Sequence, residues 1–368
     1  MISWRDGRVT AVRGRWAGAV ELDVELDRPA GDRTAVRALA YTAQVGEPVV
    51  GDRVTLTVSA LVRGLGTGGY AMVAALPDRL PADPPPGPGH VVKARYTPLQ
   101  PMVLGVDEQE SPSHEALRDA DDVAGLAVVV ADLHSALPAV LAGVRSAARR
   151  DGTPPRVAYV MTDGGALPLA FSRSVAILRE AGWLAATITA GQAFGGDHEA
   201  VNVHTALLAA RHVVGADIAV VAQGPGNLGT GTRWGFSGVA AGEAVNAAAV
   251  LGGRPVASLR VSQADPRERH RGVSHHSLTA YGRVALRPAD VVVPVGEGEL
   301  WARVREQAAA LGAPTGLHRL VEVPVDGLRA ALEDVPVRLS TMGRGLDEDE
   351  AAFVAAAAAG AHAATLTT

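Results

Sequence analysis

From residue 91 onward, strand-length runs that are almost continuously apolar alternate with helix-length stretches, and few folds can accommodate that pattern. The runs fall at 102–106, 127–131, 157–161, 184–188, 218–222, 256–261, 291–295 and 320–325, and β-branched residues dominate them. A strand with one wet face alternates apolar with polar, whereas a strand apolar throughout is buried on both faces. Between most of the runs lie stretches that read as helices, at 137–149, 167–181, 199–214, 238–251 and 299–311. A last helix, from 347 to about 359, opens with Asp-Glu-Asp-Glu, which suits the positive end of its dipole. The expectation is a doubly wound, mostly parallel, three-layer α/β domain of Rossmann-like type spanning 91–368.

The first 76 residues follow a different rule. Apolar and polar residues alternate at period two over 7–15, 19–26, 34–42, 52–62 and 70–76, with turn chemistry at Trp16-Ala17-Gly18, Pro29-Ala30-Gly31-Asp32 and the glycine-rich stretch 64–69. Five short strands in so few residues predict a small all-β barrel domain ahead of the α/β domain. Between the two, residues 77–90 read PDRLPADPPPGPGH, too rich in proline for a helix or an inner strand, and predict a semi-rigid linker.

Composition excludes several functions. With no cysteine, disulfides, thiol catalysis, Fe–S clusters and Cys-ligated zinc are all ruled out. A net charge of -5 argues against binding nucleic acid or an acidic membrane surface through bulk charge. The opening MISWRDGRV lacks a signal-peptide pattern, and no apolar run approaches the ~18 residues of a membrane span, so a cytoplasmic protein is expected.

Chemistry concentrates in residues 217–276. A strand runs into Gly224-Pro225-Gly226-Asn227-Leu228-Gly229, which fits the dinucleotide fingerprint G-x-G-x-x-G. Three features argue against that reading. Pro225 fixes φ where the turn should be free, the glycines continue through Gly231, Gly235 and Gly238, and no acidic residue follows at the ribose-binding spacing. A looser role fits better: Gly224, Gly226, Gly229, Thr230, Gly231 and Thr232 present backbone N–H groups and hydroxyls to an anion. Close helix–sheet packing would explain the glycines equally well. No P-loop motif is present.

The next strand leads into Asp265-Pro266-Arg267-Glu268-Arg269-His270-Arg271-Gly272 and then Ser274-His275-His276. Arginine forks grip carboxylate or phosphate, and histidine is the usual acid or base near neutral pH. Asp265, Arg267 and Arg269 are therefore candidate ligand-binding residues, and His270, His275 and His276 candidate catalytic ones, with Asp163 or Asp197 orienting a histidine or activating water. A solvated Arg/Glu loop with satisfied histidines is the plainer alternative. Asp132, His134, Asp163 and His275 form an alternative set of metal ligands, although no tight metal-binding spacing appears. His90, His204, His212 and His318 read as surface or packing residues.

Five segments together resemble an uncharacterised bacterial protein family, a domain of unknown function: TPLQ at 97–100, TDGGALPLAFS at 162–172, AFGGDHEAVNVHTAL at 193–207, GPGNLGTGTRWGFSG at 224–238 and ADPRERHRGVSHHSLTA at 264–280. The resemblance covers nearly the whole chain and implies a bacterial cytosolic protein, with no activity attached. Residues 231–248 are also faintly similar to subunits of glycine and betaine reductases, whose reactive cysteine or selenocysteine has no counterpart here.

The reading reached from sequence is an α/β protein that binds a small phosphate- or carboxylate-bearing ligand beyond the carboxyl ends of its parallel strands, in the manner of a hydrolase or transferase. No cofactor is specified. A divalent-metal-dependent hydrolase and a non-enzymatic binding or scaffold protein are the alternatives. No nucleic acid or membrane partner is expected, and a homo-oligomer, such as a homodimer formed through the barrel, is.

Overall fold

The structure is a computed structural model and describes residues 1–147 and 153–367. The chain divides into two units, Met1–Val103 with Ala170–Ala176, and Leu104–Leu169 with Ile177–Thr368.

The first unit contains a closed barrel of β1 (Trp4–Trp16), β2 (Ala19–Ala30), β3 (Arg33–Tyr41), β4 (Arg53–Thr57) and β5 (Ala71–Ala75), in the order β1-β2-β3-β5-β4. Only the β3–β5 pair is parallel. Closure depends on β1 serving two partners: Trp4–Arg8 pairs with β4 and Gly7–Trp16 with β2. Register shifts between Val9 and Ala11 and between Val12 and Gly14 mark the bulges that bend it. Gly7 lies where the strands cross, and a Cβ there would come 2.5 Å from the Glu25 carbonyl oxygen. Val20, Leu22, Val24, Val54, Leu56 and Val73 fill the interior. The strand expected over 52–62 stops at Thr57, and the chain makes one helical turn, Ser59–Val62, which sets Leu61 into the core. Ala60-Leu61-Val62 needs only one buried position, and a turn provides it while redirecting the chain toward β5.

The second unit is built on an eight-stranded, all-parallel sheet. Its strands are β6 (Ala127–Val130), β7 (Val157–Thr162), β8 (Ala186–Ala190), β9 (His198–Ala200), β10 (Ile218–Gln223), β11 (Arg254–Ser258), β12 (Asp290–Val295) and β13 (Arg319–Pro324), in the order β9-β8-β7-β10-β6-β11-β12-β13. The helices used below are α1 (Leu137–Ser146), α2 (Arg173–Glu180, divided between the two units), α3 (Val203–His212), α4 (Ala240–Val250), α5 (His275–Thr279), α6 (Glu299–Ala309) and α7 (Glu350–Thr365).

Two differences from the sequence reading concern short segments. Residues 102–106 form no strand of the sheet: Met102–Val103 pairs with Val91–Val92 in a separate ribbon, and Gly105 makes a single parallel bridge to Glu199 at the sheet edge. The eighth strand is instead His198–Ala200, which the sequence reading put inside a helix. Three residues carry too little periodicity to announce a strand, and this one holds a buried glutamate, Glu199, bonded to Thr189 Oγ1 and Gly195 N–H. The stretch expected as one helix over 167–181 is a 3₁₀ turn at Leu169–Phe171 followed by α2. Of the helix expected over 137–149, Ala148 and Arg149 lie outside the described residues. Among the described residues, no helix is long and apolar enough to cross a membrane.

The chain reverses its winding at β6. Helix α1 carries it from β6 past β10 to β7, whereas α4 carries it from β10 past β6 to β11. Right-handed crossovers running in opposite directions place their helices on opposite faces.

Helix α7 is apolar around its whole circumference, as a helix without a wet face must be. It packs against β6, β11 and β12, and most closely against α1. Gly143 of α1 meets the Ala357 carbonyl, and Gly360 of α7 meets the Val140 carbonyl, each with no room for a Cβ. Gly143→Ala and Gly360→Ala should therefore each destabilise the fold by about 1–3 kcal/mol, against the gain of up to ~1 kcal/mol that alanine gives a helix interior. Urea unfolding midpoints of the two variants check this, and unchanged or higher midpoints would show that the helices are not in this contact.

Candidate functional site

Where strand order reverses, the loops on either side diverge and leave a crevice beyond the carboxyl ends. Here it lies at the ends of β10, β6 and β11. Two buried polar residues and a partly buried arginine mark it: Gln223 ends β10, Asp132 follows β6 by two residues, and Arg260 follows β11 by two. The Tyr281 hydroxyl donates to the Val130 carbonyl at 2.8 Å and sits 3.1 Å from the Ser258 carbonyl, tying the ends of β6 and β11 together. On one side of Asp132 a small cavity is lined by Ser135, Arg260, Thr341, Arg344 and Phe353. On the other, a smaller one is lined by Thr162, Gln223, Ser237 and Gly238.

The Arg/His loop returns to this point through a small antiparallel ribbon, Val261–Ser262 against Gly272–Val273. Ser274 then caps α5, its Oγ accepting from His276 N–H at 3.2 Å and lying 2.7 Å from His270 Nδ1. His270, His275 and His276 come together, with ring centroids 4.5–5.0 Å apart. Phe236, from the glycine-rich loop, stacks on His276 at 3.8 Å with the rings nearly parallel. Gly231 faces Arg269, whose Nη2 would lie 3.8 Å from a Cβ placed on that glycine. The two loops singled out in the sequence thus meet.

Arg260 Nη1 donates to His276 Nδ1 at 3.0 Å and lies 3.7 Å from Asp132 Oδ2. Asp132 Oδ2, Gln223 Oε1 and His275 Nε2 are buried without a hydrogen-bond partner. Such atoms are rare because each forfeits its hydration. Burial, reinforced by the Arg260 and Arg267 charges, lowers His270 to about 3, and burial with the His276 and Arg269 charges lowers His275 to about 4. Both rings are neutral at pH 7. They can accept a proton or a metal, and hold none to give as a general acid.

The remaining candidates are placed as follows. Asp265 is fully buried and accepts from Arg267 through both oxygens, and the hydrogen bonds from Arg267 hold its carboxyl well below the usual carboxylate range. Arg344 lies 3.4 Å from Asp265 and bonds Asp349, which in turn accepts from Ser262 and Gln263. Arg267 is therefore committed to shaping the loop, whereas Arg269 is exposed and makes no ion pair among the described residues. Gly224 is buried against Ala166, Gly226 takes φ +93°, and Gly229 pairs with Phe236 across the exposed turn. Within that turn the hydroxyls of Thr230 and Thr232 bond each other and serve Gly235.

Asp163 accepts from Gln192 N–H and packs against Gly191. Asp197 precedes β9, beside the start of β8, where Thr187 and Arg179 occupy its oxygens. Neither carboxylate is brought to the histidines. His134 Nδ1 sits 3.0 Å from the Tyr159 hydroxyl, itself near the Ala222 and Gln223 carbonyls. Of the alternative metal set, only His275 joins the histidine cluster, and Asp132 stands at its margin. His318 is a packing residue, bonded by both ring nitrogens within the core.

Arg260, Gln223, Asn227 and Phe236 went unrecognised in the sequence. The Asn227 side-chain oxygen accepts from Gln223, Ser237 and Gly238, closing the turn into α4. Arg260 had one legible signal: it is the single charge in the apolar run VASLRVS.

Fold and crevice define the class, a closed five-stranded barrel followed by a doubly wound parallel α/β unit with a polar crevice at its topological switch point. Within it, the chain belongs to a family of proteins of unknown function, DUF3866, whose model matches residues 37–360. No curated protein and no solved structure matches the chain.

The lowered histidines carry a pH dependence. In the unfolded chain a histidine titrates near 6.5, so stability contributed by neutral His275 is complete above that pH and is lost as pH falls toward about 4. Replacing it with glutamine, which cannot titrate, should flatten the fall in unfolding free energy between pH 6.5 and 4. Urea unfolding across that range checks this, and parallel wild-type and H275Q profiles would contradict it.

Proposed function

We propose that the crevice binds a small molecule bearing a phosphate or carboxylate, as a substrate for hydrolase- or transferase-type chemistry. The observation that carries this reading is the state of Arg260. Its side chain is only 9% exposed, yet only Nη1 contacts other side chains, leaving Nε and Nη2 without protein partners among the described residues. A guanidinium keeps its charge at every relevant pH and presents a planar fork that matches carboxylate and phosphate geometry. A largely buried charge needs a partner to offset its lost hydration, and an anion on the free edge of this fork would supply one.

The surroundings fit. Arg260 lines the larger cavity, whose floor is apolar at Ala131, Phe353 and Ala356 and whose rim carries Ser135 and Thr341. An apolar pocket with a few convergent polar groups is the usual form of a small-molecule site. Arg269 adds an unpaired cation on the other side of the histidines, beside the exposed glycine-rich turn.

Inorganic phosphate and small carboxylates such as malonate test the reading by thermal shift and calorimetry. A ligand present at a hundred times its Kd should stabilise the protein by about 2.7 kcal/mol. Arg269→Ala should weaken binding roughly tenfold or more, the loss of one charge-assisted hydrogen bond, and Arg260→Gln should weaken it further. Arg305→Ala, which removes a cation paired with Glu322 on α6, should leave binding unchanged. No shift with any anion, or equal loss in all three variants, would defeat the proposal.

A further inference from the structure

We propose that His270, His275 and His276 hold one divalent transition-metal ion of the zinc class, through one ring nitrogen each, with Asp132 as the carboxylate that orients His276. This site does not depend on the anion reading.

One ring nitrogen from each of the three histidines lies within 4.8 Å of the others. Tetrahedral zinc, with bonds of about 2.0–2.1 Å to imidazole nitrogen, needs those atoms only modestly closer, an inward movement of under about 1 Å for each. The rings meet at 49°, 87° and 68°, so they converge edgewise rather than stack on one another. No hydrogen bond joins any two of them among the described residues, so the three rings are gathered without bonding one another. Most telling is His275 Nε2, which is buried and has no partner. A buried imidazole nitrogen without a partner, on a ring packed against two other imidazoles, is what a metal ligand looks like before the ion arrives.

The outer contacts match what metal-binding histidines require. Such a ring gives its second N–H to a hydroxyl, carbonyl or carboxylate, which fixes its tautomer and orientation. For His270 the partner is Ser274 Oγ, 2.7 Å from Nδ1. For His276 it is Asp132 Oδ2, 3.5 Å from Nδ1 and otherwise without a hydrogen bond. Arg260 Nη1 now shares that nitrogen at 3.0 Å. When the ion takes Nε2 of His276, the ring proton resides on Nδ1, Asp132 accepts it, and Arg260 turns toward the carboxylate already 3.7 Å away. Phe236, flat against His276, holds the ring plane throughout.

The donor set selects the ion. Imidazole suits zinc, copper, iron and nickel, whereas magnesium and calcium require oxygen ligands. Three protein ligands leave a fourth position open, the arrangement of catalytic rather than structural zinc. The neighbouring cations do not forbid an ion, because Asp132 answers Arg260 and Asp265 answers Arg267.

The test uses the full chain, expressed without a polyhistidine tag, stripped by chelator and titrated calorimetrically with zinc chloride. Elemental analysis follows dialysis, and Co(II) absorption reports the ligand field. The expected result is one zinc per chain, a tetrahedral Co(II) spectrum and no response to magnesium. His275→Ala removes a nitrogen that bonds nothing else, so the fold should survive, and zinc affinity should drop by at least tenfold. Asp132→Asn should retain stoichiometric metal with affinity about 10–100-fold weaker. Circular dichroism confirms folding, and His275→Gln stands in if the alanine variant fails. Absence of stoichiometric zinc, or wild-type affinity in the folded His275 variants, overturns the proposal. Phosphate titration of the metal-free protein separates the two readings: phosphate binding without zinc binding refutes only the metal site, and zinc binding without phosphate binding refutes only the anion site.

Discussion

The crevice depends on how closely α7 lies on α1. Alanines line α7 almost from end to end, and the two glycines, Gly143 and Gly360, let each backbone reach a carbonyl of the other helix. Each helix is entered from the site. The chain passes Asp132 on its way into α1, and Arg344 and Asp349 on its way into α7. Close packing of the two helices therefore draws both sets of polar residues to the end of the sheet. A pair held apart by leucines, at the 8–10 Å spacing of ordinary helices, would move one wall of the cavity outward.

Charge in the crevice is divided between two tasks. Asp265, Asp349, Arg267 and Arg344 form a nearly closed network that shapes the loop after β11. Such groups are satisfied and have little left for a ligand. Asp132, Gln223 and His275 are the opposite case: each has a buried polar atom without a partner among the described residues, and Arg260 beside them uses only Nη1. Buried polar groups usually find partners because going without is costly, and the atoms that lack one gather at the crevice. The loop motif that first drew notice, with its run of arginines, contributes mostly to the structural half.

Much of the fold was legible. Continuous apolar runs announced a parallel sheet, since a strand covered on both faces has no polar side to show. Period-two alternation announced the barrel. The misplaced elements were short ones, His198–Ala200 and Met102–Val103, where two or three residues cannot establish a period. In the site, the glycine turn and the histidine loop were legible as strand-end segments, and they do meet at Phe236 and His276. Asp163 and Asp197 looked equally suited, yet each closes a loop of its own instead. A carboxylate after a strand reads the same in sequence whether it turns to the crevice or to the nearest backbone N–H.

The sequence alone determined that a small barrel precedes a parallel sheet covered on both faces, because those properties follow from local periodicity and residue type. Only the tertiary structure decided that β10 inserts between β7 and β6, that Arg260 rather than Arg267 is the under-partnered cation, and that three histidines converge on one point. Sheet order and side-chain pairing depend on contacts between residues far apart in the chain, such as Asp132 with Arg260 and His276, and no pattern within a single segment can encode them.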